Sequence, residues 1–419
     1  MSLSKNGATL TRIRLDYSSN VIPYGRQDIT QADIDSVVSV LRSDFLTQGS
    51  AVPAFERAVA QYCGVKNGVA VSSATSALHL ACIALELGPG DWLWTSPNSF
   101  VASANCAKYC GAKVDFVDID PETYNMCVEA LASKLKVAEA MGMLPKIVVP
   151  VHFAGQPCNM SAIHKLSIHY GFKIIEDASH AIGASYYAGN IVDGVFDNPI
   201  IVGACAHSDI TVFSFHPVKI ITTGEGGMVM TNSEIYADRI RRLRSHGITT
   251  DVSIMSPRVE GEIWNYQQVE LGFNYRMTDI QAALGISQLQ RLDDFVESRK
   301  KLSDRYESLL EDLPLKTPYI VEGFNSSWHL YVIRLMTKKI RNSHKEVYQK
   351  MLENGIGVNL HYIPIHMQPY YQRMGFRVGD YPNAEEYFSQ AITLPIFPRL
   401  KKFEHELVVD ELRRAINGD

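Results

Sequence analysis

The chain has 419 residues, 46% of them hydrophobic and 20% charged, with a formal net charge of −5. That length accommodates two domains with sizeable cores, and the absence of any Lys/Arg stripe argues against a nucleic-acid partner. The first twenty residues lack the apolar core of a signal peptide and no apolar run reaches membrane-spanning length; seven scattered cysteines without a C-x-x-C pair are expected as reduced thiols of a cytoplasmic protein, not as a disulfide framework or a metal site.

Helix and strand signals alternate from the start. "QADIDSVVSVLRS" has helical spacing behind the N-cap Thr30, and "PAFERAVAQYC" is a second helix closed by Gly64. "NGVAVSS" reads as a strand and "ATSALHLACIALEL" as a helix stopped by Gly88, Pro89 and Gly90. "DWLWTSP" (strand), "FVASANCAKYC" (helix) and "KVDFVDID" (strand) follow, then a helix over 128–141, "KIVVPVHF", a helix over 160–170 and "FKIIEDAS". Such alternation with continuous apolar strands predicts an α/β fold: a mostly parallel sheet with helices on both faces and its chemistry at the carboxyl ends of the strands. Further on, 278–312 reads as one long helix leading away. "WHLYVIRL" (strand), "HKEVYQKMLENGI" (helix) and "GVNLHYIPI" (strand) then suggest a smaller α+β domain. The expected division is a large domain over 1–285 and the linking helix with the small domain over 286–419.

Three loops just past strand ends attract attention. "SSATSALHL" opens a helix with hydroxyl residues, either as ordinary capping or as a phosphate cradle of free amides. "SPNSFVAS" offers Phe100, either a core aromatic or a surface for a flat ring. "EDASH" puts Asp177 after a buried strand, either as a cap or as the counter-ion of a protonated ring nitrogen such as that of pyridoxal phosphate, with His180 three residues later. "FSFHPVKIITTGEGGMVMTN" then sets one amine, Lys219, between an apolar strand and a glycine turn. It is either a surface lysine on a hairpin or a desolvated nucleophile. The acidic "VDFVDID" lacks the upstream G-x-G-x-x-G that a dinucleotide site needs.

The ordered set of cradle, aromatic, acid and lysine resembles the fold-type I pyridoxal-phosphate enzymes, an aspartate-aminotransferase-like architecture. "EDASHAIGA", "FSFHPVKIITTGEGGMVMT", "LGFNYRMTDIQAALGISQL" and "LTQGSAVPAFERAVAQYCGV" are similar to the sugar aminotransferases of the DegT/DnrJ/EryC1/StrS family, from about Pro23 to Pro398. "IPYGRQDIT", "HPVKIITTGEGG" and "HYIPIHMQPYY" most resemble the branch acting at C4 of UDP-4-keto-6-deoxy-N-acetyl-β-L-altrosamine in pseudaminic acid synthesis.

The resemblance implies that Lys219 holds pyridoxal 5′-phosphate as a Schiff base and shuttles a proton. Asp177 would pair with the ring nitrogen, His180 would lie near the ring hydroxyl, and Phe100 would stack on the ring. Ala74, Thr75 and Ser214 would hold the phosphate together with Asn274 of a second subunit, in a homodimer with shared active sites. It also implies L-glutamate as amino donor and a nucleotide sugar as acceptor, with Tyr24, Gln48 and His361 expected along the sugar-nucleotide pocket. Family dehydratases carry histidine at the lysine position, so Lys219 favours amino transfer. Another UDP-, dTDP- or GDP-linked keto sugar, aminated at C3 or C4, is the alternative substrate. A cofactor-binding regulatory protein without turnover is the alternative of another class.

Overall fold

The computed structural model describes residues 21–187, 199–257 and 264–418; the polar stretch 1–20 lies outside them. At its centre is a sheet of seven strands: β1 (Asn67–Val71), β2 (Trp92–Thr95), β3 (Lys113–Phe116), β4 (Ile147–Val149), β5 (Lys173–Asp177), β6 (Ile210–Ser214) and β7 (Gly227–Thr231). Their order is β1-β7-β6-β5-β4-β2-β3. Strands β2 to β6 pair in parallel, while β7 runs antiparallel to both β6 and β1.

Helices α2 (Ala51–Cys63), α3 (Ala74–Ala84), α4 (Ala102–Tyr109), α5 (Val128–Ala140), α6 (Met160–Tyr170) and α7 (Glu234–Leu243) surround this sheet, and α1 (Gln31–Leu41) packs on the helix Asp279–Leu289. Alternation along the strands divides the core. Phe213, Met228 and Met230 pack with Phe55, Leu131 and Ile163 of α2, α5 and α6. Val212 and Val229 point the other way, against Leu78, Cys106 and Ile240 of α3, α4 and α7. The capping signals in the sequence are realised: the Thr30 amide donates to Asp33 (2.8 Å), and Gly64 closes α2 at φ 69°. The acidic strand end is structural. Asp118 accepts the amides of Asn383 (3.0 Å) and Ala384 (3.1 Å), at the start of helix Pro382–Gln390.

Two expectations need correction. The long helix over 278–312 is two helices, α8 (Asp279–Leu289) and α9 (Leu292–Leu310). Between them Arg291 leaves helical geometry (φ −113°, ψ 12°), and its guanidinium reaches Asp33 (2.6 Å) and Asp28 (3.1 Å). These ion pairs tie the break to the first turn of α1 and to Asp28 just before it. "GVNLHYIPI" is not a strand. Gly357 donates to Ile22 O (2.7 Å), Asn359 alone bridges to Thr393, and residues 359–362 turn to line a cavity. Beyond α9, strand Tyr331–Leu335 pairs antiparallel with Leu315–Lys316 and Ala391–Leu394. Tyr306, Tyr331, Val347, Met351 and Leu412 form the core there, joined by Ile22 from the other end of the chain.

Candidate active site

The lysine sits just beyond the strand end, not on a strand. After β6 the chain bends so that the Lys219 amide donates to His216 O (2.9 Å), then returns through Gly224 at φ 81° to β7. The left-handed conformation suits glycine at that turn. Gly227 answers a different need. A Cβ there would fall 2.5 Å from Ser73 C and 2.6 Å from Ala74 N, so only a bare α-carbon lets the lysine connection rest against the start of α3. Sequence therefore seats the amine beside a helix N-terminus. Desolvation lowers the Lys219 pKa to about 8, against the opposing pull of Asp177.

Asp177 ends β5 and is buried. Its Oδ2 accepts the Ser103 hydroxyl of α4 at 2.6 Å, and its Oδ1 accepts the Ser179 amide at 3.2 Å. Its main chain is pinned as well: the amide donates to Pro150 O (2.9 Å), and the carbonyl accepts from His152 N (3.1 Å).

Three buried imidazoles form another wall. His180 Nδ1 accepts the Ala154 amide (3.3 Å), so the neutral ring carries its proton on Nε2 and donates to the Tyr362 hydroxyl (3.1 Å). His329 Nε2 lies 3.5 Å from Lys219 Nζ, and its ring centroid is 4.5 Å from that of His180. His361 meets the Thr393 hydroxyl (2.8 Å) and Asn359 (3.3 Å). Burial first, then the charge of Lys219, holds all three well below the ordinary imidazole value, His361 at about 3. They are neutral polar groups at physiological pH.

These elements enclose a cavity of about 500 Å³. Lys219, Asp177, His180, Ala74, Thr75, Phe100, Ser214, Tyr24 and His361 all line it, so the structure brings together nine of the eleven residues singled out in the sequence. Phe100 is 57% exposed and tilts towards Tyr362, with centroids 6.3 Å apart. The other two residues, Gln48 and Asn274, are exposed and lie outside this cavity. Gln48, at φ 58°, borders a second cavity of about 230 Å³ with Arg244, Ser245 and Arg276. Asn274 bridges to Ser245 beside it.

The residues present fit pyridoxal phosphate. In the first turn of α3 the Ser76 amide donates to the Ser73 hydroxyl (3.1 Å), while the amides of Ala74 and Thr75 precede the first intrahelical bonds and suit a phosphate. A buried carboxylate faces the same space as an amine of lowered proton affinity, and an aromatic stands at the rim. Sequence reasoning missed His329, Tyr362 and Ser103. Nothing in the spacing links His329 to Lys219, 110 residues away. Ser99 and Ser103 stand four residues apart in the sequence, a spacing that was legible.

The DegT/DnrJ/EryC1/StrS aminotransferase family model matches residues 27–413. The chain is 36% identical over 94% of its length to the Campylobacter jejuni UDP-4-amino-4,6-dideoxy-N-acetyl-β-L-altrosamine transaminase, covering 96% of it. It is 35% identical over 96% of its length to the Bacillus subtilis spore coat polysaccharide biosynthesis protein SpsC, covering 98% of it. The pyridoxal-phosphate form of Streptococcus pneumoniae Spr1654 superposes with a TM-score of 0.81 at 28% identity, covering 94% of this chain and 98% of that one. The chain belongs to the DegT/DnrJ/EryC1/StrS family: its fold is that of these aminotransferases, and its cofactor is pyridoxal 5′-phosphate.

Proposed function

We propose that this member of the DegT/DnrJ/EryC1/StrS family moves an amino group from L-glutamate to the C4 ketone of a nucleotide-linked 6-deoxy sugar. The sugar we assign is UDP-4-keto-6-deoxy-N-acetyl-β-L-altrosamine, which places the reaction in pseudaminic acid biosynthesis. The observation that carries amino transfer is the pairing of Lys219, at about pKa 8, with the buried Asp177 across one cavity. The resemblance of "HYIPIHMQPYY" and the similarity to the Campylobacter transaminase support the sugar.

The cofactor, when bound, supplies an electron sink for the bond broken at the amino-bearing carbon. This chain's residues do the rest. Ala74, Thr75 and Ser214 hold the phosphate, and Phe100 covers a ring face. Asp177 keeps a proton on the ring nitrogen. Lys219, neutral for part of the time near pH 8, takes a proton from one carbon and returns it to another. The neutral His180, His329 and His361 offer hydrogen bonds beside Lys219 without adding charge. Tyr24, His361 and a second subunit's Gln48 would contact the sugar nucleotide. Asn274 of that subunit would complete the phosphate site, since both residues stand outside the cavity of their own chain. Free thiols throughout the described residues support a cytoplasmic setting.

The test is incubation of enzyme and L-glutamate with UDP-, dTDP- and GDP-linked keto sugars, the product being identified by NMR. A 4-amino UDP-altrosamine product is expected. The comparable similarity to SpsC, 35% against 36% identity, favours a second reading, another nucleotide-linked keto sugar, and a product from a different sugar would establish it. Failure of glutamate to discharge the cofactor's absorbance band in a single turnover would overturn the catalytic reading altogether.

A further inference from the structure

Ser103 is buried on α4, whose entry loop also carries Phe100. Its hydroxyl has three oxygens in reach: Asp177 Oδ2 at 2.6 Å, Ser99 Oγ at 2.6 Å and Phe100 O at 3.3 Å. A serine hydroxyl owns a single proton, and an ionised carboxylate can only accept. The Ser103 proton therefore goes to Asp177. With that proton committed, the Ser99 contact holds only if Ser99 donates to the Ser103 oxygen. The result is a directed chain, Ser99 O–H to Ser103 O–H to Asp177 Oδ2, with Ser99 and Ser103 both buried. Each donation polarises the next, and a hydrogen bond to a charged acceptor is stronger than one between neutral groups.

We propose that Ser103, backed by Ser99, is a positioning residue that keeps the shared proton on the cofactor's ring nitrogen instead of on Asp177. This rests on the reading of Asp177 as the ring-nitrogen partner. A proton between that nitrogen and a carboxylate can sit on either. Nitrogen–H⁺ with carboxylate is the charged arrangement; bare nitrogen with carboxylic acid is the neutral one. No atom is gained or lost between them. Burial favours the neutral arrangement, because it disfavours charge. A hydroxyl proton delivered to Oδ2 works against that tendency by stabilising the carboxylate charge. The Ser179 amide on Oδ1 acts in the same sense from a longer distance, 3.2 Å. Ser103 also fixes which way the carboxylate faces, because it ties the end of β5 to α4 and hence to the loop bearing Phe100.

The experiment is nitrogen-15 NMR of the full-length enzyme carrying ring-labelled pyridoxal phosphate. In the wild type the ring nitrogen should resonate as a protonated pyridinium. Ser103→Ala should move it towards the unprotonated pyridine position and slow the glutamate half-reaction by about tenfold, the equivalent of one pKa unit. Ser99→Ala should move it the same way by less, and Ser103→Thr, which keeps the hydroxyl, should restore the wild-type signal. Asp177→Asn reports on the underlying reading. If it shifts the resonance and Ser103→Ala does not, the serine chain has no such role and Asp177 keeps its own. If Asp177→Asn leaves the resonance unmoved, the ring-nitrogen partner has been misassigned. Should Ser103→Ala fail to fold, Ser99→Ala against the wild type carries the same decision.

Discussion

The cavity around Lys219 and the cavity around Gln48 differ in how far one chain completes them. In the first, polar groups are already committed to one another: Asp177 is held by Ser103 and Ser179, His180 by Ala154 and Tyr362, and His361 by Thr393 and Asn359. Lys219 Nζ and His329 Nε2 face each other 3.5 Å apart. In the second, Gln48 and the neighbouring Asn274 are exposed. The proton-handling part of the site is preorganised by a single fold, whose strand ends and helix starts converge there. The second cavity offers exposed polar side chains at the surface, which suits residues donated to another copy. The comparison can be broken at either end.

The largest effect is expected inside the first cavity. Lys219→Ala should lower amino transfer by at least about three orders of magnitude, since in the proposed mechanism it would remove both the cofactor's attachment point and the proton carrier. The helices and strands should persist, because the lysine side chain belongs to no core cluster. Borohydride reduction of the wild type followed by peptide mapping checks the assignment; a phosphopyridoxyl label on any other lysine would sink it. Asp177→Asn should come next, slowing the glutamate half-reaction by about a hundredfold, the equivalent of two pKa units at the ring nitrogen. Cofactor occupancy should fall less, because the start of α3, Ser214 and Phe100 remain. A variant with a wild-type half-reaction rate would exclude Asp177 as the ring partner.

The second cavity is tested by mixing. A Lys219→Ala chain and a chain with a disruptive Asn274 substitution, such as Asn274→Trp, should each be inactive alone. If Asn274 serves the partner's site, a mixed dimer has one site with both lesions and one with neither. Random exchange at equal amounts makes about half of the dimers mixed, so roughly a quarter of all sites should work by two-fold symmetry. Confirmed exchange with no return of activity would mean that the second cavity serves its own chain.

The same contrast explains what the sequence could reveal. Strand–helix alternation and capping residues made the central sheet legible, because local pattern decides those elements; Lys219, Asp177 and the start of α3, to which we assign the chemistry, all stand at their ends. The break at Arg291 was not legible. It depends on Asp28 and Asp33, which lie far away in sequence. "GVNLHYIPI" looked like a strand because its residues favour extended backbone, yet its hydrogen bonds go to Ile22 and Thr393. His329 was invisible for a related reason: within "WHLYVIRL" it is one polar residue beside a strand, and only the fold brings it to Lys219. Pattern identifies what is local, and the imidazole wall is assembled from long-range contacts.

The smallest expected effect concerns the charge state of that wall. Burial lowers the Lys219 pKa from its usual value to about 8, and Asp177 partly restores it. In enzyme freed of cofactor, the amine is protonated below that pH and nucleophilic above it. At pH 7 about a tenth of the molecules should carry a neutral Lys219, and at pH 9 about nine-tenths. Acylation of Lys219, followed by mass spectrometry at limiting reagent, should therefore rise through a midpoint near pH 8, where an ordinary lysine is still largely protonated. Asp177→Asn removes the group that favours the ammonium, so the midpoint should move to lower pH. The three imidazoles are held neutral across this range and should add no second inflection between pH 6 and 9. A midpoint above pH 10 would mean that water reaches the amine freely. The first cavity would then be as open as the second.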